Sequence, residues 1–305
     1  MKKRGEYYIT QFFYLNLQTL IFIGKMKQLK FLMVALTLLM GISFTSCLNS
    51  DNDYAPTVEG FVKVGGGMFG TTFTMLDGAT TISPTAAFLT QGLEIIMYKI
   101  DVRVLGMVGT NCYLLCNTDT KECVLIDPAD NAGKISEMIE QSGCMLKGIL
   151  LTHGHFDHIM AADEVRDKYN VKVYASAEEK NTLSTPHINL GEAYGMNLSV
   201  KADIWHNDGD VLNLAGFDIK AIHTPGHTEG GTCYYIESIG VLFSGDTLFC
   251  ESVGRTDFPG GSMSDIVHSI KDKLMVLPDD TKVYTGHGEG TSIGYERVHN
   301  PFIGA

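Results

Sequence analysis

A chain of 305 residues with 45% hydrophobic side chains has the length and the apolar content for one large packed core or two ordinary ones. Its formal net charge of −12 excludes nucleic acid as a partner, because neutralising phosphates needs a basic surface. Residues 1–96 carry seven Lys/Arg and six Asp/Glu, so all the excess acid lies beyond residue 96, where it reads as a solubilising surface.

In chain order, the first feature is an apolar, uncharged run at 31–44, too short to cross a bilayer but the length of a signal-peptide core. Lys25, Lys27 and Lys30 precede it, and Phe44-Thr45-Ser46-Cys47 follows. This order resembles a bacterial lipoprotein signal over 26–47, with Cys47 as the lipidated residue and 1–25 as an upstream extension. Residues 48–96 contain Gly65-Gly66-Gly67, Gly70 and a Thr-rich stretch at 71–81, which predict short β-strands and turns. From Met26 the chain resembles the beginning of NigD-like lipoproteins, a family of small β-rich domains. That likeness makes 48–96 a short β-rich fragment or linker, too short for a core of its own. Met97 opens a self-contained pattern. The chain is either a genuine fusion of the two parts or a joined reading of two neighbouring coding segments, the second an independent protein that starts at Met97.

Within 97–305, alternating or continuous apolar runs predict strands at 100–105, 112–115 and 123–126. Helical spacing follows at 132–141, with Ile135, Met138 and Ile139 on one face and Gly143 as the stop. A buried strand at 148–152 delivers the chain into His153. A helix at 159–168, a strand at 171–174 and a long polar loop at 184–199 come next. Strands at 211–214, 217–223, 232–236 and 241–244, a helix at 264–277 and a last strand at 282–285 complete the order. This succession predicts an α/β sandwich, two central sheets with helices outside.

Four places concentrate the chemistry. Thr152-His153-Gly154-His155-Phe156-Asp157-His158 puts three imidazoles and a carboxylate into six positions after a buried strand. Imidazole nitrogen and carboxylate oxygen are the ligands zinc prefers besides thiolate. Thr224-Pro225-Gly226-His227, Ser244-Gly245-Asp246 and Thr285-Gly286-His287 each repeat one design: a strand, a glycine for a tight turn, then one ligand-type side chain. Five of the ten histidines fall in these places, which random scatter would seldom produce.

These four motifs, in this order, resemble the metallo-β-lactamase superfamily, with its H-x-H-x-D-H loop followed by His, Asp and His. The resemblance covers nearly all of 97–305 and implies the αββα sandwich of that superfamily. It also implies that His153, His155 and His227 hold one metal, that Asp157, His158 and His287 hold a second, and that Asp246 bridges them. Zinc is the first expectation, iron or manganese the alternatives. Asp127, in Leu125-Ile126-Asp127-Pro128, matches an Asp that supports the metal loop from behind. Gly254-Arg255-Thr256-Asp257-Phe258-Pro259-Gly260 and Asn300-Pro301-Phe302 resemble the compact, single-domain branch of the hydroxyacylglutathione hydrolases (glyoxalase II). Two-domain members hold glutathione with a helical domain after the last His, whereas 18 residues follow His287 here. Arg255 and Asp257 read as a salt bridge fixing the loop beside the site.

The implied activity is hydrolysis of a small thioester or related acyl compound by a hydroxide shared between two metals. Asp157 is the catalytic residue that would orient it and handle a proton. Two other readings stay open: a single-iron persulfide dioxygenase, which shares a Gly-Arg-Thr-Asp-Phe stretch, and a non-enzymatic metal-binding lipoprotein. Besides Cys47 there are six cysteines, mostly in apolar strands and with no CxxC pair, which suits reduced thiols. The expected location is the cell envelope, anchored to the membrane only by lipid on Cys47, if the 26–47 signal acts. It is the cytoplasm if translation starts at Met97.

Overall fold

The structure, a computed structural model, describes residues 57–64, 67–74 and 95–303. The upstream extension, the 26–47 signal with Cys47 and most of 48–96 lie outside the described residues. By its contacts the chain divides into residues 1–55 with 76–93, all outside that set, and residues 56–75 with 94–305, which hold everything that follows.

Two mixed sheets form the centre. The first has eight strands. It begins with the hairpin β1 (Thr57–Val64) and β2 (Gly67–Thr74), whose inner strand pairs with β3 (Ile95–Leu105). It continues through β4 (Thr110–Asn117), β5 (Glu122–Ile126), β6 (Met145–Leu150), β7 (Lys172–Ser176) and β8 (Ile204–His206). Pairing is antiparallel as far as β5 and parallel from β5 to β8. The second sheet contains β9 (Val211–Leu214), β10 (Phe217–His223), β11 (Thr232–Ile236) and β12 (Val241–Gly245). A two-stranded ribbon, β13 (Leu248–Phe249) with β14 (Ser252–Val253), intervenes in sequence. The second sheet is completed by β15 (Lys282–Thr285), parallel to β12, and β16 (Thr291–Ser292).

The period-two alternation of the strands explains the layering. On β4 and β5, Tyr113, Leu115, Val124 and Ile126 face Phe217, Ile219, Tyr234 and Phe243 of the other sheet and form the middle core. Their neighbours Leu114, Cys116, Cys123 and Leu125 point the opposite way. They meet Ile135, Met138 and Ile139 of α1 (Ala132–Ser142) and Val165 of α3 (Ala162–Tyr169); the short α2 (Phe156–Ile159) precedes α3, and α4 (Lys180–Ser184) follows β7. On the far side, Ile222, Cys233, Tyr235 and Leu242 pack against Ile266 of α5 (Met263–Ser269), Ile270 and Leu274 beyond it, and Ile293 of α6 (Ile293–His299). The result is helix, sheet, sheet, helix, as the element order predicts. Strands buried on both faces read as continuous apolar runs, which is why β4, β5 and β12 stand out in the sequence.

Several boundaries differ from expectation. The helix expected at 159–168 is two pieces, α2 (Phe156–Ile159) and α3, because Ala161 ends the ligand loop by donating its N–H to the Pro128 carbonyl at 3.0 Å. β3 starts at Ile95 rather than 100, since its first residues pair with β1, so Met97 lies inside a strand. The strand expected at 148–152 ends at Leu150, where Thr152 turns to bond Asp127. The helix expected at 264–277 narrows to α5 and widens into a π-type turn over Ile270–Leu274. Short β8, the β13–β14 ribbon, β16 and α6 carry too little periodicity to be foreseen. The helix expected at 132–141 is α1, capped by Asn131 and closed by Gly143 in the left-handed conformation.

Candidate metal centre

Four strand ends converge on one edge of the sandwich. β6 runs out into Leu151, Thr152 and His153; β10 into His227; β12 into Asp246; β15 into His287. The turn after β15 requires glycine: a Cβ at Gly286 would collide with Asp246 Oδ1 and reach the His158 ring. The same close approach brings the third and fourth motifs together.

Three groups of ligand-type atoms result, with all atoms in each within 4.8 Å of one another: His153, His155, His227; His153, His158, Asp246; and Asp157, His158, His287. His155 Nδ1 and His227 Nε2 face each other at 2.9 Å. His158 Nε2 and His287 Nε2 lie 3.3 Å apart. Asp246 stands between the groups: Oδ1 is 3.4 Å from His158, and Oδ2 is 3.5 Å from both His227 and His287. His153 Nε2, His155 Nε2 and Asp246 Oδ1 are buried without a hydrogen-bond partner. Buried polar atoms are nearly always satisfied, so three orphans aimed into one cluster fit a cation-binding site.

The remaining predicted residues surround this cluster. Asp127 has φ +50° and accepts the Thr152 N–H at 2.8 Å through Oδ1. Its Oδ2 takes the Thr152 hydroxyl at 2.7 Å and lies 2.9 Å from His158 Nδ1. It therefore fixes the imidazole ring from behind. Asp157 Oδ2 accepts the Thr110 hydroxyl at 2.6 Å and lies 3.3 Å from His287 Nε2. Arg255 and Asp257 form an exposed ion pair at 2.7 Å. The Arg255 guanidinium lies over the Phe258 ring at 4.2 Å, and that ring meets His155 edge-on at 5.7 Å. The contact Arg255 makes with a ligand-type residue is through its main chain: its carbonyl lies 2.7 Å from His227 Nδ1.

Electrostatics divides the imidazoles. Burial, reinforced by neighbouring rings, pushes His153 well below the ordinary histidine range and His155 down to about 3, leaving neutral nitrogens with free lone pairs. Burial also opposes charge on His158, but Asp157, Asp246 and Asp127 outweigh it and hold the ring well above that range. His287 follows the same pattern, raised to about 9 by Asp157 and Asp246 against burial. The two carboxylates answer in kind: despite burial, the imidazoles draw Asp157 down to about 2 and Asp246 well below its ordinary value. A cation held among these groups would compensate the carboxylates in place of protons on His158 and His287.

Sequence reasoning missed several residues that build the site. Thr110 and Asn111 open β4. Asn111 donates to the Thr285 and Gly288 carbonyls at 3.0 Å each, and Tyr113 donates to Thr285 at 2.7 Å, so one strand clamps the fourth motif. Polar residues at the head of an apolar strand were the available signal. Glu179, buried beside Gly154, carried none. Five histidines stand elsewhere. His206 bonds the Tyr234 hydroxyl and His223 the Glu229 carbonyl, while His187, His268 and His299 have local partners. The described cysteines are all free, and four of the six are buried.

The metallo-beta-lactamase superfamily model matches residues 105–287. The probable metallo-hydrolase YqgX of Bacillus subtilis is 39% identical over 201 residues, spanning 65% of this chain and 94% of that protein. The hydroxyacylglutathione hydrolase GloC of Haemophilus influenzae is 37% identical over 196 residues, spanning 63% and 92%. Among solved structures, the BLEG-1 B3 metallo-beta-lactamase superposes with a TM-score of 0.65 at 39% identity, covering 68% of this chain and all of its own. TTHA1623 in a di-iron-bound form gives 0.60 at 33%, covering 66% and 99%.

Proposed function

The chain belongs to the metallo-beta-lactamase superfamily, and on that footing we propose that it is a dinuclear metal-dependent hydrolase of small thioesters or related acyl compounds, close in chemistry to the hydroxyacylglutathione hydrolases. The observation that carries this reading is Asp246, one carboxylate within reach of both His158 and His227 with His287. His153, His155 and His227 would hold one ion, and Asp157, His158 and His287 the other, with Asp246 shared. Zinc, or else iron or manganese, would supply there a hydroxide at neutral pH and a Lewis acid for the acyl oxygen. Asp157, kept ionised by the imidazoles and the Thr110 hydroxyl, would orient the attacking water and take its proton. Asp127 and the Arg255 carbonyl hold His158 and His227 in the ring orientation that ligation needs. The Arg255–Asp257 pair with Phe258 walls the site on the side of His155 and His227. A thioester suits such a site because its thiolate leaves without a strong general acid.

Elemental analysis of the purified full chain together with a thioester panel, followed by thiol release, tests this. Two metal equivalents and thioester turnover are expected. A second reading, an iron-dependent persulfide dioxygenase, rests on the Gly254-Arg255-Thr256-Asp257-Phe258 stretch and draws some weight from the iron in the TTHA1623 structure. One iron equivalent with oxygen uptake on a persulfide would replace the first reading by this one. Bound metal with neither activity would leave a metal-binding lipoprotein domain.

A further inference from the structure

We propose that Glu179 is a positioning residue for the three-histidine group, a single buried carboxylate that holds the loop of His153 and His155 and the loop of His227 in mutual register. Glu179 closes a tight turn, Ala177–Glu179, that follows β7. It sits outside every sequence motif and is 1% exposed. Its Oε1 accepts the N–H of Gly154, the residue between His153 and His155, at 2.8 Å. Its Oε2 accepts the N–H of Gly230 at 2.7 Å and the hydroxyl of Thr228, next to His227, at 3.1 Å. Two ligand loops 72 residues apart in sequence are thus tied to the two oxygens of one side chain.

The packing is built around this contact. A Cβ at Gly230 would run into the Glu179 main chain and carboxylate, and one at Gly154 would meet the Leu183 backbone at 3.0 Å. Glycine at both places lets the loops close on the carboxylate. A buried acid is costly to desolvate and persists only where its lone pairs are engaged. Here the donors it engages come from the residues flanking three ligand-type histidines. The matching role on the other side of the centre belongs to Asp127, which bonds Thr152 and His158. Each half of the centre therefore has its own buried carboxylate behind it.

The inference rests on the metal-binding reading, and substitution separates the two. Backbone N–H groups can only donate, and an amide has one accepting oxygen. Glu179→Gln must therefore release one of the two loops whichever way the amide turns. Metal-stripped full chain titrated with cobalt(II) alone gives the affinities of both sites. Glu179→Gln is expected to weaken one site by about tenfold or more, within the range of lost supporting contacts. That loss should persist in a His287→Ala background, where the second group is disabled, and vanish in His227→Ala, where the first is. Asp127→Asn should show the reverse pattern. Purely structural glue would lower the melting temperature while leaving both cobalt affinities unchanged, and that result, or equal loss at both sites, overturns the proposal. Should Glu179→Gln fail to fold, Thr228→Val removes one donor and keeps the carboxylate. It must weaken the same site, by about threefold, and an unchanged affinity overturns the proposal equally. A wild-type chain that takes up no cobalt would sink the metal reading itself.

Discussion

Asp246 reaches both histidine groups: its Oδ2 lies 3.5 Å from His227 and from His287, and its Oδ1 3.4 Å from His158. Replacing it with alanine is expected to lower the occupancy of both metal sites and to abolish turnover, read by metal titration and thioester assay. Loss from only one site would remove its bridging role. His206 offers a residue-scale test independent of metal. Its ring is buried against the Tyr234 hydroxyl, and burial pushes its pKa down to about 4. An unfolded histidine titrates near 6.5, so between about pH 6.5 and 4 the unfolded chain binds a proton that the folded ring refuses. Stability should therefore fall as pH drops through that window, by up to roughly 3 kcal/mol, and level off below it. His206→Gln keeps a partner for Tyr234 and should flatten that part of the urea-derived stability profile. An unchanged slope would assign the acid sensitivity to other groups.

Strand ends set the site, and strand faces set the stability. β4 and β5 each send alternate residues into two different cores, so a cavity on one face leaves the other layer intact. Leu125→Ala, on the helix-facing side, is expected to cost about 2–5 kcal/mol in equilibrium unfolding, with cobalt affinity little changed. Gly286→Ala should do the opposite. Its added methyl would strike Asp246 and reach His158, so metal affinity should fall by more than tenfold while most of the core remains packed. Equal effects on stability and on metal in both variants would contradict this division between faces and ends. The elements that were legible in the sequence are those with long apolar alternation, β10 to β12 above all. Those that were not, β8, β16 and α6, are two to seven residues long and owe their form to neighbours already in place.

At the scale of the whole molecule, a cluster with buried carboxylates and orphaned nitrogens makes folding and metal binding one equilibrium. Chelation should lower the melting temperature, and free metal at about a thousand times its Kd should restore about 4 kcal/mol. Calorimetry with and without added zinc checks this, and a melting curve indifferent to metal would show the cluster stable as an ion-paired network. We propose that the chain is anchored to the membrane by lipid on Cys47. A chain expressed from Met26 should be found in the membrane fraction with lipid on Cys47, and Cys47→Ser should release it or leave it unprocessed. Native protein that is soluble and begins at Met97 would replace the anchored form by a cytoplasmic one.

The sequence by itself determined the order of the longer elements, the sandwich they make and the four glycine-flanked places where ligand-type side chains leave their strands. It could do so because alternation and turn chemistry are local: each is written within a few residues of where it acts. Which histidines face which carboxylates, and what stands behind them, was decided only in three dimensions. Thr110 reaches Asp157 across 47 residues, Asn111 clamps Thr285 across 174, and Glu179 joins loops 25 and 51 residues away. Glu179 has no pattern around it in the chain, and the polar head of β4 carries no sign of which loops it meets. A hydrogen bond to a loop brought in by another strand depends on register and sheet order, and those are fixed by packing the whole core rather than by any segment alone.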